Sequence, residues 1–244
     1  FDIYSKYQTG RLPIISPYLS KESKVLEIGA SSGQFLANIQ ERVAVVNAIE
    51  LDKSCCDFMQ TELGIDSDSE FMNESKFAGQ KYDIVCSFQV VEHVESPVSF
   101  LRDLKSFLKE DGVAFIEVPN LRDPLLSVWD VESYKAFYYR SVHLHYFTEN
   151  SLKKVAMDAG FLSDQIDINF TQDYNILNHL NWITNDSPQA TCDVGLSAIK
   201  MQGANGQISG WLTERLKELN TEYIAKLIDA KATSNIMMVL TKAP

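Results

Sequence analysis

Hydrophobic positions in the first half of the chain fall into short runs, separated by stretches with helical spacing. Lys24 to Ile28 (KVLEI) reads as a buried strand and Gln34 to Arg42 as a helix. Ala44 to Glu50 (AVVNAIE) is a second apolar strand, followed by a helix across Lys53 to Leu63. Residues 64–80 are polar and poorly periodic, with a short strand expected near Phe71. Tyr82 to Phe88 (YDIVCSF) is a further strand. Pro97 opens a helix whose apolar residues Val98, Phe100, Leu101, Leu104, Phe107 and Leu108 stand mostly three or four apart, as one buried face requires. Glu110-Asp111-Gly112 is a turn and Val113 to Val118 (VAFIEV) a strand. Strands alternating with helices predict an α/β fold. We expect a Rossmann-like doubly wound sheet, mostly parallel, with right-handed crossovers.

After Pro119 the pattern changes. Residues 119–147 are rich in aromatics, among them Trp129, Tyr134, Phe137, Tyr138, Tyr139, Tyr146 and Phe147. Thr148 has the character of an N-cap for a helix through Ala159, and Gly160 that of its stop. Gln165 to Phe170 alternates like a strand. A long segment, 171–233, follows, and its later part, Trp211 to Ile228, is amphipathic. Asn235 to Leu240 closes the chain as a strand expected to run antiparallel. The predicted organisation is one domain over residues 1–244. Segments 119–147 and 171–233 form its substrate side and a helical cover inserted before the last strand.

Composition narrows the function classes. The 244 residues carry a net charge of −11 and no Lys/Arg-rich block, which argues against a nucleic-acid partner. No apolar run approaches the roughly 20 residues needed to cross a bilayer. The four cysteines show no CxxC spacing, so free thiols in a reducing, cytoplasmic setting are expected. The chain begins at Phe1 rather than Met, so further N-terminal sequence is expected, and Tyr4 and Tyr7 read as part of a helix folding over a ligand. Nothing in the sequence signals an oligomeric state.

The chemistry concentrates in VLEIGASSGQFL, where a strand runs into a glycine loop and a helix. In an open α/β sheet ligands bind beyond the carboxyl ends of the strands, so this loop reads as a nucleotide site. Gly29 permits a tight turn and Gly33 a close backbone approach to the ligand. Glu50 ends the second strand, where a carboxylate can accept hydrogen bonds from ribose hydroxyls. A dinucleotide fingerprint would need glycine at 29, 31 and 34, but Ser31 and Gln34 stand there. A phosphate-binding loop is also excluded, since no Gly-Lys-Ser/Thr follows. Glu27, inside the first strand, suits a ligand with a cationic amino group better than a pyrophosphate.

These residues resemble the class I S-adenosylmethionine-dependent methyltransferases. The family pattern E-x-G-x-G-x-G stands here as Glu27-Ile28-Gly29-Ala30-Ser31-Ser32-Gly33, with Ser31 in place of the middle glycine. Tyr82 to Gly112 is similar to the family's fourth-strand block, with Gln89 at a frequent Glu position. The resemblance covers roughly residues 22–120. It implies S-adenosylmethionine as donor and S-adenosylhomocysteine as product. By that resemblance Glu27, Gly29, Ala30, Ser31, Gly33, Glu50, Leu51, Asn73, Glu74, Phe88, Gln89 and His93 line the donor site. Val118 to Leu152 and Tyr174 to Ile183 are similar to a subgroup linked to surface-polysaccharide and modified-sugar synthesis, which implies a sugar or glycan intermediate as acceptor.

Methyl transfer to a hydroxyl needs the acceptor's proton removed, and His is the commonest base at neutral pH. The chain has four histidines: His93, His143, His145 and His179. His143 and His145 alternate in HLHYFT, so both are expected to face one pocket. The resemblance to the methyltransferases favours His143 as base. Asn120, Tyr138, Tyr139, Tyr146, Asn178 and His179 are the candidate substrate contacts. No third ligand stands at diagnostic spacing from the histidines, and no metal is expected. Three alternatives stay open: an N- or C-methyltransferase on another small metabolite, a non-catalytic nucleoside-binding module, and a nicotinamide oxidoreductase, against which Glu27 speaks.

Overall fold

A computed structural model of the chain describes residues 5–242; Tyr4 lies outside them. The apolar runs become strands because each has branched or aromatic side chains on both faces, as a sheet covered on two sides requires. A first helix, α1 (Gln8–Ile15), precedes strand β1 (Lys24–Ile28), helix α2 (Gln34–Ile39) and strand β2 (Val45–Ile49). Helix α3 (Lys53–Phe58) starts at Asp52, whose carboxylate accepts from the Ser54 amide, and its end widens into a π-turn over Met59–Leu63. Next come β3 (Asp66–Asp68), β4 (Tyr82–Phe88), α4 (Pro97–Ser106) and β5 (Leu108–Pro119). Short helices α5 (Pro124–Ser127) and α6 (Glu132–Tyr138) lead to α7 (Glu149–Asp158) and β6 (Ile166–Thr171). The chain ends with α8 (Ile176–Asn185), α9 (Asp193–Leu196), α10 (Gly206–Asp229) and β7 (Asn235–Thr241).

The seven strands form one sheet in the order β3-β2-β1-β4-β5-β7-β6. The pairs β1–β2, β1–β4, β2–β3 and β4–β5 are parallel, and the last strand runs antiparallel. The order reverses beside β1, where chain-neighbours β1 and β2 lie on one side and β4 on the other. That is the switch point where a parallel sheet opens a crevice. Val25, Phe35, Leu36, Ile39, Ala48, Met59, Ile84 and Phe115 build the core under this point.

Three expectations shift. The short strand near Phe71 lies instead at Asp66–Asp68, and Phe71 is exposed at the start of a turn. Leu108 is not on the Pro97 helix, which ends at Ser106; it opens β5 and pairs with Tyr82. The Glu110-Asp111-Gly112 turn is absorbed into that strand as an irregularity, since pairing passes from Tyr82–Leu108 directly to Ile84–Val113. The Thr148 cap forms as expected, with a reciprocal bond to Ser151, and Gly160 leaves the helix at φ +92°.

The chain divides into two compact units. The first holds residues up to Pro119, Val142–Asn169, and Ile236 onward; the second holds Asn120–Ser141 and Phe170–Asn235. Among the described residues no helix is long and apolar enough to cross a membrane. All four cysteines are free.

Candidate functional site

The first unit carries the glycine loop at the carboxyl end of β1. Gly29 and Gly33 both take φ +77°. A β-carbon on Gly29 would lie 2.3 Å from Cγ2 of Val90, in the turn after β4. One on Gly33 would lie 2.8 Å from Cγ of Met59, so this glycine accommodates a protein side chain. Ser31, at the family's middle glycine, also enters the left-handed region, at φ +49°. Its amide donates to Oε2 of Glu50 at 2.7 Å, while Oε1 of Glu50 accepts from the Asp52 amide at 2.9 Å. Glu50 thus fixes the loop's curvature and keeps lone pairs for a ligand. Ala30 is buried, whereas Leu51, Asn73 and Glu74 are exposed.

Behind the loop lies a group of buried carboxylates. Glu27 is 3% exposed, and its Oε2 has no hydrogen-bond partner. Burial pushes its pKa up to about 8, against a lowering by Arg11 and a further rise from Glu50. Glu92 is 1% exposed with neither carboxylate oxygen partnered, and burial raises it to about 8 as well. Glu117, on β5, is also buried. Its Oε1 accepts from Arg11 Nη2 at 2.6 Å and Nε at 2.9 Å, and from Gln89 Nε2 at 3.1 Å. The Arg11 guanidinium stacks 4.4 Å above the ring of Phe88, which meets Phe35 edge-on. Gln89 itself sits at φ +57°. Sequence reasoning missed Arg11 and Glu117. The available signal was Glu117 itself, a carboxylate inside the apolar run VAFIEV, as Glu27 is inside KVLEI.

The turn after β4 joins this group to the histidines. His93 N donates to Val90 O, and Val90 is the residue that fills the space beside Gly29. The amides of Leu144 and His145 both donate to the Glu92 carbonyl. His93 Nδ1 lies 2.8 Å from the Val142 carbonyl, so it must carry the proton. The His143 ring stands edge-on to His93 at 4.8 Å and near Tyr146 at 5.7 Å. Glu92, His93 and His143 therefore meet in one corner, although 50 residues separate the pair from His143. His145 does not join them; it lies against the buried Phe147, with Nε2 buried and unpartnered.

The remaining candidates belong to the second unit and are committed to its framework. Asn120 donates from its side chain to the Lys231 carbonyl and accepts from the Arg122 amide. Tyr138 is buried and donates to the Asn120 carbonyl at 2.7 Å, while Tyr139 is exposed. Asn178 is buried, reaches Gln189, and packs beside Gly195. His179 is buried and pushed down to about 4 by that burial, so it is neutral at pH 7. Its Nδ1 lies 2.8 Å from the Tyr223 hydroxyl, which also accepts from the Trp129 indole at 2.9 Å.

Residues 5–165 match the methyltransferase domain. That span is well over half of the chain. The chain belongs to the methyltransferase-domain family. It is 26% identical over 149 residues to a ubiquinone biosynthesis O-methyltransferase of Parvibaculum lavamentivorans, covering 57% of this chain and 59% of the relative. The protein of that name from Aeromonas salmonicida is also 26% identical, over 150 residues, covering 57% and 63%. The chain thus spans about three-fifths of the length of these relatives. Among solved structures it is similar to a SAM-dependent methyltransferase from Archaeoglobus fulgidus, with TM-score 0.60, 19% identity and coverage of 98% of this chain and 94% of that one. The likeness shows the fold.

The chain thus carries a methyltransferase domain. Its residues fit the S-adenosylmethionine that the sequence resemblance implies as methyl donor. An unpartnered oxygen on a buried carboxylate behind the loop suits a ligand that brings a sulfonium and an ammonium group. Glu50, at the end of β2, stands where a ribose diol is bound in such sheets.

Proposed function

We propose that this methyltransferase transfers its methyl group to the oxygen of a hydroxyl on a small polar acceptor. The observation that carries the reading is the corner of Glu92, His93 and His143, tied to the donor loop through the turn at Val90. An amine that arrives neutral needs no such corner, whereas a hydroxyl must lose a proton. The names of those relatives lend support in the same direction, since both are called O-methyltransferases. A sugar or glycan intermediate is the acceptor class that the resemblance of Val118 to Leu152 implies, and a cytoplasmic setting goes with it.

The donor supplies an activated methyl group. The chain's own residues do the rest. The loop and Glu50 hold the nucleoside, Glu27 balances the amino group, and the corner receives the acceptor hydroxyl and removes its proton. His143 is the group that acts on that proton, because its ring stands beside His93 in the corner. Alignment of donor and acceptor contributes most of the rate.

Product analysis with a panel of phenolic and sugar hydroxyl acceptors tests this. His143→Ala should keep donor affinity within about twofold and lower turnover of a hydroxyl acceptor by about 10²-fold or more. Methylation of an amine acceptor at an undiminished rate in His143→Ala would overturn it.

A further inference from the structure

The corner also has the composition of a metal site. Glu92, His93 and His143 each offer one ligand atom, and these atoms lie within 4.8 Å of one another. Two observations go beyond proximity. Glu92 is 1% exposed, yet neither of its carboxylate oxygens has a hydrogen-bond partner, an arrangement that costs free energy until a cation or donor completes it. His93 faces Val142 O with Nδ1, which must be the protonated nitrogen. In the neutral imidazole Nε2 then carries the lone pair, and this atom lies 3.8 Å from Glu92 Oε1. A ligating imidazole usually donates its other ring N–H to a backbone carbonyl or carboxylate, which fixes the tautomer.

We propose that Glu92, His93 and His143 bind a divalent first-row transition-metal ion. One carboxylate and two imidazoles are the ligand types that zinc, manganese or iron accept, with positions left open. The amides of Leu144 and His145 on the Glu92 carbonyl, and the Val142 carbonyl on His93, hold the two segments together before any ion arrives. Ligands at tetrahedral zinc stand about 3.3 Å apart, so the atoms, up to 4.8 Å apart here, need to close in by at most about 1.5 Å. Side-chain rotation supplies that.

The inference deepens the reading of the corner as the place of the acceptor hydroxyl, and rests on it for function. An acceptor oxygen in an open position would become more acidic, as metal-bound water does. Its proton would pass to solvent, the oxygen would bond to the methyl carbon, and the S–CH₃ electron pair would stay on sulfur. With the ion bound, His143 would hold it and act on the hydroxyl's proton through it.

The test is titration of the metal-free chain with Co²⁺, followed by its visible absorption, then displacement by Zn²⁺. One Co²⁺ per chain is expected, without the strong near-ultraviolet charge-transfer band that thiolates from Cys55 or Cys56 would give. Affinity should fall at least 10²-fold in His93→Ala and in His143→Ala, with S-adenosylmethionine binding retained in His143→Ala. Should a variant fold poorly, the wild type is melted with Zn²⁺ and with EDTA; a rise with Zn²⁺ that Glu92→Gln abolishes supports the site. No stoichiometric Co²⁺ binding, or binding undiminished in both histidine variants, overturns it. The two readings fail separately. Hydroxyl methylation that proceeds fully in EDTA removes the metal's role and leaves the O-methyltransferase, whereas Co²⁺ binding without any hydroxyl acceptor does the reverse.

Discussion

Arg11→Met should destabilise the first unit by about 3–5 kcal/mol, the cost of leaving a buried carboxylate without its partner. The Arg11–Glu117 pair is 2.6 Å long, with side chains only 10% and 2% exposed, so solvent screens it little. Methionine preserves much of the stem's packing on Phe88, and the loss therefore reports on charge. Glu117→Gln in the same background should restore most of the stability, because a neutral amide tolerates burial better than an orphaned carboxylate. Urea denaturation of the two single variants and the double variant measures this as a cycle. An Arg11→Met midpoint equal to wild type would contradict it. A second effect follows from the same charge. Arg11 lowers the pKa of Glu27 and of Glu92, so its removal holds both carboxyls protonated to still higher pH. Donor binding near neutral pH should weaken accordingly.

Gly29→Ala should lower S-adenosylmethionine affinity by about 10²-fold or more while leaving the fold intact. Two costs add at this residue. An alanine at φ +77° is strained by roughly 1–2 kcal/mol. Its β-carbon would also stand 2.3 Å from Val90 Cγ2, so the turn after β4 must move away from the loop. Val90→Ala in the same chain relieves the second cost and not the first, and should recover affinity in part. Full affinity in Gly29→Ala would mean that the loop does not need this conformation.

Much of the fold was legible because β1 and β4 are buried on both faces, and their apolar runs coincide with the strands residue for residue. The 64–80 stretch was not. Its strand, Asp66–Asp68, is polar, and it is held by pairing with β2 and by Asp68, which accepts from Ser75 and the Lys76 amide. The donor site was readable where its residues are adjacent, from Glu27 through Gly33 with Glu50 at the next strand's end. Arg11 was not readable, because its partner Glu117 is 106 residues away and the two meet only when the first helix packs on β5. Likewise, spacing gave His143 and His145 equal standing. The fold separates them, through a backbone bond from His145 to Glu92 that leaves only His143 beside His93. In the second unit, Asn120, Tyr138 and His179 read as ligand contacts because they are polar or aromatic, but their hydrogen bonds serve neighbours brought near by tertiary structure.

The donor site is tested most directly by calorimetric titration of the chain with S-adenosylmethionine, S-adenosylhomocysteine and NAD at pH 7, in buffers of different ionisation heat. Glu27 is pushed up to about 8, so it is protonated in the free protein at that pH. A cationic amino group beside it favours the ionised form, and binding should release a proton, with affinity rising as pH climbs toward 8. The expected result is binding of both sulfur nucleosides, no binding of NAD, and a buffer-dependent heat that Glu27→Gln removes. Binding of NAD in their place would contradict the assignment of the loop.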